Sequence, residues 1–297
     1  MSPAPTLAVR GQPIDLAKPV LMGIVNATPD SFSDGGLHPT TEAQVDLALE
    51  LLAQGAAIID VGGQSGITGV PEVPVADEIA RVVPVVAGVR EAAPGAVVSV
   101  DTYRPTVAEA AVAAGAAMVN DTSGLLHPEI ADLCASAGAG LVIMHTRARP
   151  KHKVLDPELY DDVTADVVAF LRQGIDVATS RGVAPDAIVV DPGPDFAKTP
   201  AQTVEVLRRL DAVRALGRPV LLALSRKDFI GAITGRPPRA RLGGTLAAVG
   251  ALAGPGTLLR VHDVDAVKDY LAVADVLSGR TDLPPDARLA DSLRREP

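Results

Sequence analysis

Eight short apolar runs in this chain each end in a side chain that can hydrogen-bond or carry charge. These are Asn26, Asp60, Asp101, Asn120, His145, Asp191, the Ser225–Lys227 step and His262. One aspartate at a strand end most often caps a helix or forms a turn. Eight runs ending this way exceed what capping needs. Together they supply three carboxylates, two amides, a lysine and two imidazoles. No subset has zinc-ligand spacing, there is no nucleophile elbow, and Cys134 falls in a helical stretch. That argues against a metal hydrolase or an acyl-transfer triad. The first run, LMGIVN (21–26), breaks directly into TPDSFSDGG (28–36), a turn-rich loop with Pro29, two aspartates and paired glycines. A buried strand opening into such a loop has something to serve at its end.

The elements that must position these residues repeat along the chain. The runs 19–26, 57–62, 97–102, 117–121, 140–145, 187–191, 219–224 and 257–263 read as strands. They alternate with segments of helical spacing, such as 41–55 and 161–182. Gly55, Gly115, Gly138 and Gly182 close helices ahead of the next strand, where glycine takes the left-handed conformation at little cost. Eight strand–helix units predict a single-domain (β/α)8 barrel, with the polar strand ends converging on its C-terminal face. Residues 7–16 read as a hairpin around Gly11–Gln12 that closes the bottom of the barrel. The predicted organisation is an N-terminal segment over 1–18, the barrel over 19–280 and a tail over 281–297.

Composition narrows the partners. The chain has 297 residues, is 47% hydrophobic but only 2% aromatic, and lacks tryptophan, so Ala, Val, Leu and Ile must build its core. A net charge of −9 argues against nucleic acid or an anionic membrane as the main partner. It leaves room for a phosphate ligand met by a few local cations. A single cysteine cannot form an internal disulfide, which points to the cytoplasm. No apolar run is long enough to cross a membrane, and the N-terminus lacks a signal-peptide layout.

LMGIVNATPDSFSDGG, SVDT (99–102), ND (120–121), MH (144–145), DPG (191–193), SRK (225–227) and RVHDV (260–264) occur in one order. Together, from about residue 19 to about residue 278, they resemble the dihydropteroate synthase family. The resemblance implies a transferase of folate biosynthesis. It joins 6-hydroxymethyl-7,8-dihydropterin diphosphate to 4-aminobenzoate and releases diphosphate. It further implies that Asp191 accepts two donors of the pterin edge, that Asp101 and Asn120 hold other ring nitrogens, and that Lys227 reaches the carbonyl, with Met144 in the same pocket. Asn26 would ligate Mg²⁺, and Arg260 and His262 would contact the diphosphate. Asp101, Lys227 and Asp34 are the expected catalytic residues, Asp101 by stabilising a methylene cation after early C–O cleavage. The loop from Thr28 to Gly36, with Phe32 and Asp34, would close over the site. A cytoplasmic homodimer is implied.

The acceptor side departs from the family. Its second loop usually reads Gly-Gly-Glu-Ser-Thr-Arg-Pro-Gly, whereas residues 62–69 read GGQSGITG. Gln64, Gly66, Ile67 and Thr68 therefore replace an acid, a hydroxyl, a cation and a proline. Asp228 adds a carboxylate after SRK that would repel an anionic acceptor. Arg147, Arg149 or Lys151 of the fifth loop could replace the lost cation. The alternative expectation is a paralogue that binds the pterin diphosphate without using 4-aminobenzoate, as a binding partner or with another amine. A methyltetrahydrofolate-dependent methyltransferase shares the same barrel and is the lesser alternative.

Overall fold

The computed structural model describes residues 6–28, 40–64 and 71–294. Eight parallel strands close into a barrel: β3 (Val20–Asn26), β4 (Ile58–Gly62), β5 (Val97–Asp101), β6 (Met118–Asp121), β7 (Gly140–Met144), β8 (Ile188–Asp191), β9 (Val220–Leu222) and β10 (Thr257–Val261). β10 pairs with β3 to complete the circle. Between and after the strands run α1 (Thr41–Gln54), α2 (Val75–Ala92), α3 (Pro105–Ala113), α4 (Glu129–Ala137), α5 (Val163–Ser180), α6 (Pro200–Arg208), α7 (Leu210–Arg214), α8 (Asp228–Thr234), α9 (Leu242–Leu252) and α10 (Val264–Leu277). The (β/α)8 architecture expected from the alternating pattern is the one observed.

Local chemistry sets the helix ends. The Thr40 hydroxyl accepts from the Ala43 N–H at the start of α1, and Asp162 caps α5 through Ala165. Thr199 and Gln202 form a reciprocal capping box on α6. Gly55, Gly115, Gly138 and Gly182 all have positive φ, as the turn into each following strand requires.

Strand alternation divides the interior into two shells. Val25, Ile59, Val61, Val98, Val100, Val119, Leu141, Ile143, Val190 and Leu259 pack outward against the helices. Met22, Ile58, Val97, Met118, Val142, Val189, Leu221 and Leu258 form a second cluster inside the barrel. Two or four residues further along the same inward rows stand Asn26, Asp60, Asp101, Asn120, Met144, Asp191 and Arg260. The barrel is thus apolar in its lower layers and polar at its C-terminal rim.

The lower end is sealed by an antiparallel hairpin of β1 (Thr6–Val9) and β2 (Gln12–Asp15). Its turn lies on Arg10–Gly11, both with positive φ, one residue earlier than the expected Gly11–Gln12. A two-residue hairpin needs left-handed backbone at both central positions, and Gln12 already belongs to the strand. Leu7, Val9, Ile14 and Leu16 insert into the inner cluster, so the hairpin closes the bottom as expected. No described helix is long and apolar enough to cross a membrane.

Leu16 is fully buried in this seal. Leu16→Ala should destabilise the chain by about 2–5 kcal/mol, read as a lowered urea midpoint, while ligand affinity at the opposite face is kept. An unchanged midpoint would show that the hairpin is dispensable.

Candidate active site

Parallel register brings the first polar group together. Asn26 lies beside Gly62, Gly62 beside Asp101, and Asp101 beside Asn120. Asp60, one inward step below Gly62, is fully buried. Arg260 reaches across from β10, donating from Nε to Asp60 Oδ2 at 2.6 Å and from Nη2 to Asp101 Oδ2 at 2.8 Å. Asn120 Nδ2 donates to the same Asp60 oxygen at 3.0 Å. Asp60 Oδ1 and Asn120 Oδ1 are buried with no hydrogen-bond partner. Leaving such acceptors unpaired is costly, and a ligand rich in N–H donors would relieve that cost.

Burial raises the Asp101 carboxyl pKa, and the Asp60 charge adds to the rise; Arg260 opposes it. Asp191, at the end of β8, is pushed up to about 6 by burial, although the Gly193 N–H donates to its Oδ1 at 2.7 Å. Lys227 and Lys198 also act to hold it down. Met144 pairs in register with Asp191 and is buried, forming part of the inward wall.

The turn after β9 forms the second group. Arg226 takes a left-handed φ of 61° and donates to Asp263 Oδ1 at 2.8 Å. Arg241 Nη1 donates to the carbonyls of Arg226 and Lys227 and to Asp228 Oδ1, at 2.8, 3.1 and 3.1 Å. The Asp228 N–H donates to Asp195 Oδ2 at 2.5 Å. This scaffold sets the Lys227 ammonium 4.5 Å from the centre of the Phe196 ring. Burial pulls the Lys227 pKa down, and Asp195 and Asp191 counter that. His262 is pulled down to about 3 by burial and then by Arg226 and Arg260, so its ring is neutral at pH 7. Its Nδ1 lies 2.9 Å from Ser225 Oγ. With the hydroxyl donating there, Nε2–H remains as a donor.

His145 ends its strand on the outward side. Its ring is fully buried, edge-on to Phe170, with Nε2 2.8 Å from Asp166 and Nδ1 2.7 Å from Lys198 Nζ. Burial pulls it down to about 3. Lys198 Nζ also donates to the carbonyls of Gly193 and Phe196. Three acceptors match the three hydrogens of an ammonium, although burial brings its pKa down to about 7. His145 and Lys198 therefore brace the Gly193–Phe196 loop under Asp191. Gly193 cannot be replaced there, since a Cβ would meet the His145 carbonyl oxygen at 2.0 Å.

The departures fall in three places. Gly66, Ile67 and Thr68 lie outside the described residues, as do Phe32 and Asp34. Gln64 bridges the start of that loop to its end: Nε2 donates to Tyr103 Oη at 3.3 Å, and Oε1 accepts from the Val73 N–H at 3.2 Å. Asp228 does add a carboxylate at the mouth, but it comes paired with Arg241 and with Lys153 at 3.7 Å. Of the fifth-loop cations, Arg147 is engaged by Asp166, and Lys151 faces Asp101, Glu78 and Glu72 electrostatically. Sequence reasoning missed Lys198, Asp195 and Arg241, and it noted Asp60 without assigning it to the site. Asp60 alone had a signal, since it shares the two-residue inward row of Ile58.

A family model described as pterin binding enzyme matches residues 22–262. The dihydropteroate synthase of Synechocystis is 40% identical over 86% of this chain and 89% of its own length. A Xanthomonas albilineans dihydropteroate synthase with 4-aminobenzoic acid superposes with a TM-score of 0.84 at 42% identity, covering 93% of this chain and 98% of that one. The same enzyme in complex with 7,8-dihydropteroate gives 0.81 at 41% identity, covering 92% and 99%.

The raised Asp191 pKa has a stability consequence. A carboxyl that ordinarily titrates near 4 but here at about 6 destabilises the fold when charged. That penalty is complete above the folded pKa and vanishes below the unfolded one. Two units at about 1.4 kcal/mol each mean that Asp191→Asn should gain up to about 3 kcal/mol at pH 8. The gain should disappear between about pH 6 and pH 4. Denaturant titrations of both proteins at pH 8 and pH 4 check this, and a gain independent of pH would contradict it.

Proposed function

The chain belongs to the dihydropteroate synthase family of pterin binding enzymes, and from that premise we propose how its residues perform the transfer. It joins a dihydropterin carrying a CH₂–O–diphosphate to the amino group of 4-aminobenzoate. The C–O bond to the diphosphate breaks, a C–N bond forms, and the aniline nitrogen loses a proton.

The observation that carries the donor site is the inward ring of Asp60, Asp101, Asn120 and Asp191, with Asp60 Oδ1 and Asn120 Oδ1 unpaired. A pterin edge supplies an amino group and ring N–H groups to such acceptors. Asp191 takes two of these donors, and Lys227 donates to the ring carbonyl from above Phe196. A ligand without this pattern leaves the buried groups unpaired, which is the basis of selectivity. Met144 supplies wall. Asp101, released from part of its pairing with Arg260, stabilises positive charge developing on the methylene carbon. Arg260 and the neutral His262, through Nε2–H, bind the diphosphate. Catalysis is positioning and electrostatics, with no covalent enzyme intermediate. Asp34 and the first loop exclude water from the cation.

Among the described residues there is no cluster of three acidic, histidine or cysteine ligands. A diphosphate-borne Mg²⁺ fits the described residues, since that ion keeps several waters and takes few protein oxygens. Asn26, with one hard amide oxygen at the barrel rim, is the residue proposed to hold it. When bound, the ion neutralises charge on the leaving diphosphate.

We place the protein in the cytoplasm as a homodimer. Ile233 on α8 and Val273 and Leu277 on α10 are exposed apolar side chains suited to the dimer contact. Sedimentation at the mass of one chain would contradict this. No observation favours the methyltransferase or the non-enzymatic alternative.

The direct test is dihydropteroate formation from the pterin diphosphate and 4-aminobenzoate with Mg²⁺ present. No product from a folded protein would overturn the reading. Asp191→Asn should weaken pterin binding by about 2–4 kcal/mol, because an amide cannot accept both donors. Calorimetry showing unchanged affinity in Asp191→Asn would mean that the ring is held elsewhere.

A further inference from the structure

The loop between β7 and α5, residues 145–162, is tied down at both ends and extends over the mouth of the barrel in its middle. Arg147 is bonded to Asp166 at 2.6 Å. Further along, Gln202 Nε2 donates to the carbonyls of Asp156 and Pro157 at 3.1 Å, and Tyr160 Oη donates to the Ala197 carbonyl at 2.8 Å. Between these anchors the chain turns at Lys151, which has a left-handed φ of 65°. Two residues on, Lys153 Nζ lies 3.7 Å from Asp228 Oδ2. The loop therefore reaches the residue that follows Lys227.

The two cations on Asp228 are held very differently. Arg241 is mostly buried and is committed to two backbone carbonyls as well as to Asp228 Oδ1. Lys153 is 55% exposed and makes one long contact with a carboxylate that is 60% exposed. Such a pair is held weakly and is open to a second anion. Lys153 and Arg241 together outweigh the Asp228 carboxylate they share by one positive charge. The extra aspartate is therefore more than offset where it stands.

We propose that Lys153, tethered by Asp228, is the cation that receives the carboxylate of the acceptor. This rests on the reading above that the acceptor is an anionic aniline. Asp228 acts as a positioning residue: it draws a flexible lysine to the rim beside Lys227 and Phe196 instead of opposing the substrate. Specificity for a para-carboxylate then comes from the β7–α5 loop.

The sign of one substitution separates tethering from repulsion. Steady-state kinetics of the full chain with Mg²⁺ would use 4-aminobenzoate and, as an uncharged acceptor, 4-aminobenzamide. Lys153→Met should raise KM for 4-aminobenzoate about tenfold, leaving KM for the pterin diphosphate and for the amide within about twofold. Lys153→Arg should restore it. Asp228→Ser should also raise KM for 4-aminobenzoate severalfold, and should add little in the double variant with Lys153→Met. A lowered KM in Asp228→Ser, or an unchanged KM in Lys153→Met, overturns the proposal while wild-type turnover leaves the functional reading standing. Absence of wild-type turnover overturns both.

Discussion

The upper barrel depends on one guanidinium. Arg260 bonds Asp60 and Asp101, residues 200 and 159 positions away in sequence, across the interior of the closed sheet. Each carboxylate is costly to bury alone, and breaking a buried pair leaves an uncompensated charge. The arrangement requires barrel closure, because the pairing of β10 with β3 brings the Arg260 side chain within reach of β4 and β5, one and two strands beyond β3. The lower layers of Met, Ile, Leu and Val and the hairpin seal beneath them hold that closure. A bonded interior arginine also means that the site is assembled before any ligand arrives, with acceptors already fixed in place.

A second structure holds the opposite side of the pocket. The Ser225–Asp228 turn is fastened by Arg226 to Asp263, by Arg241 to its carbonyls and by Asp195 to the N–H of Asp228. Lys198 and His145 hold the neighbouring Gly193–Phe196 loop from below. Asp191 lies between these two, its backbone carbonyl accepting from the His145 N–H and its carboxylate from Gly193. Several of the fastening residues have backbone that is costly for a side chain: Asp195, Ala197 and Arg226 all have positive φ. Strain of this kind persists only where the surroundings overdetermine it, and here it fixes the position of Lys227.

Much of this was legible in the sequence because strands alternate. The rows Ile58–Asp60, Val97–Ser99–Asp101 and Met118–Asn120 reveal which residues face inward once the period of two is followed. The same rule assigns Asp121 and His145 to the outside. Asp121 proves to bond Ser123 and Leu125 of the following turn, and His145 proves to bond Asp166 of α5. Neither outcome follows from residue type, since an aspartate and a histidine at strand ends look equally suited to a pocket. Lys198, Asp195 and Arg241 were hidden for a different reason. They lie in loops and at helix starts without periodicity, and their partners, backbone carbonyls and N–H groups together with His145, Asp228 and Thr203, are brought near only by the fold. Asp228 shows the limit most clearly. Its type predicted repulsion, but the cations that offset it come from position 153 and position 241.

The chain carries nine net negative charges and yet handles anions at this face, so its charge must be arranged by place. Arg260 and the neutral His262 lie on β10 and just beyond it, on the side proposed for the diphosphate. Lys227 follows β9, and Lys153 and Arg241 meet at Asp228. Buried carboxylates occupy the middle, where a heterocycle needs acceptors and a developing cation needs negative charge. Low local polarity strengthens every one of these interactions relative to water. Acceptors at the centre with cations on either side match a substrate that has a donor-rich ring and an anionic leaving group, and an attacking partner with a carboxylate at its far end. Global charge therefore says little about this site. The position of each charged side chain along the inward rows and rim loops decides what it can bind.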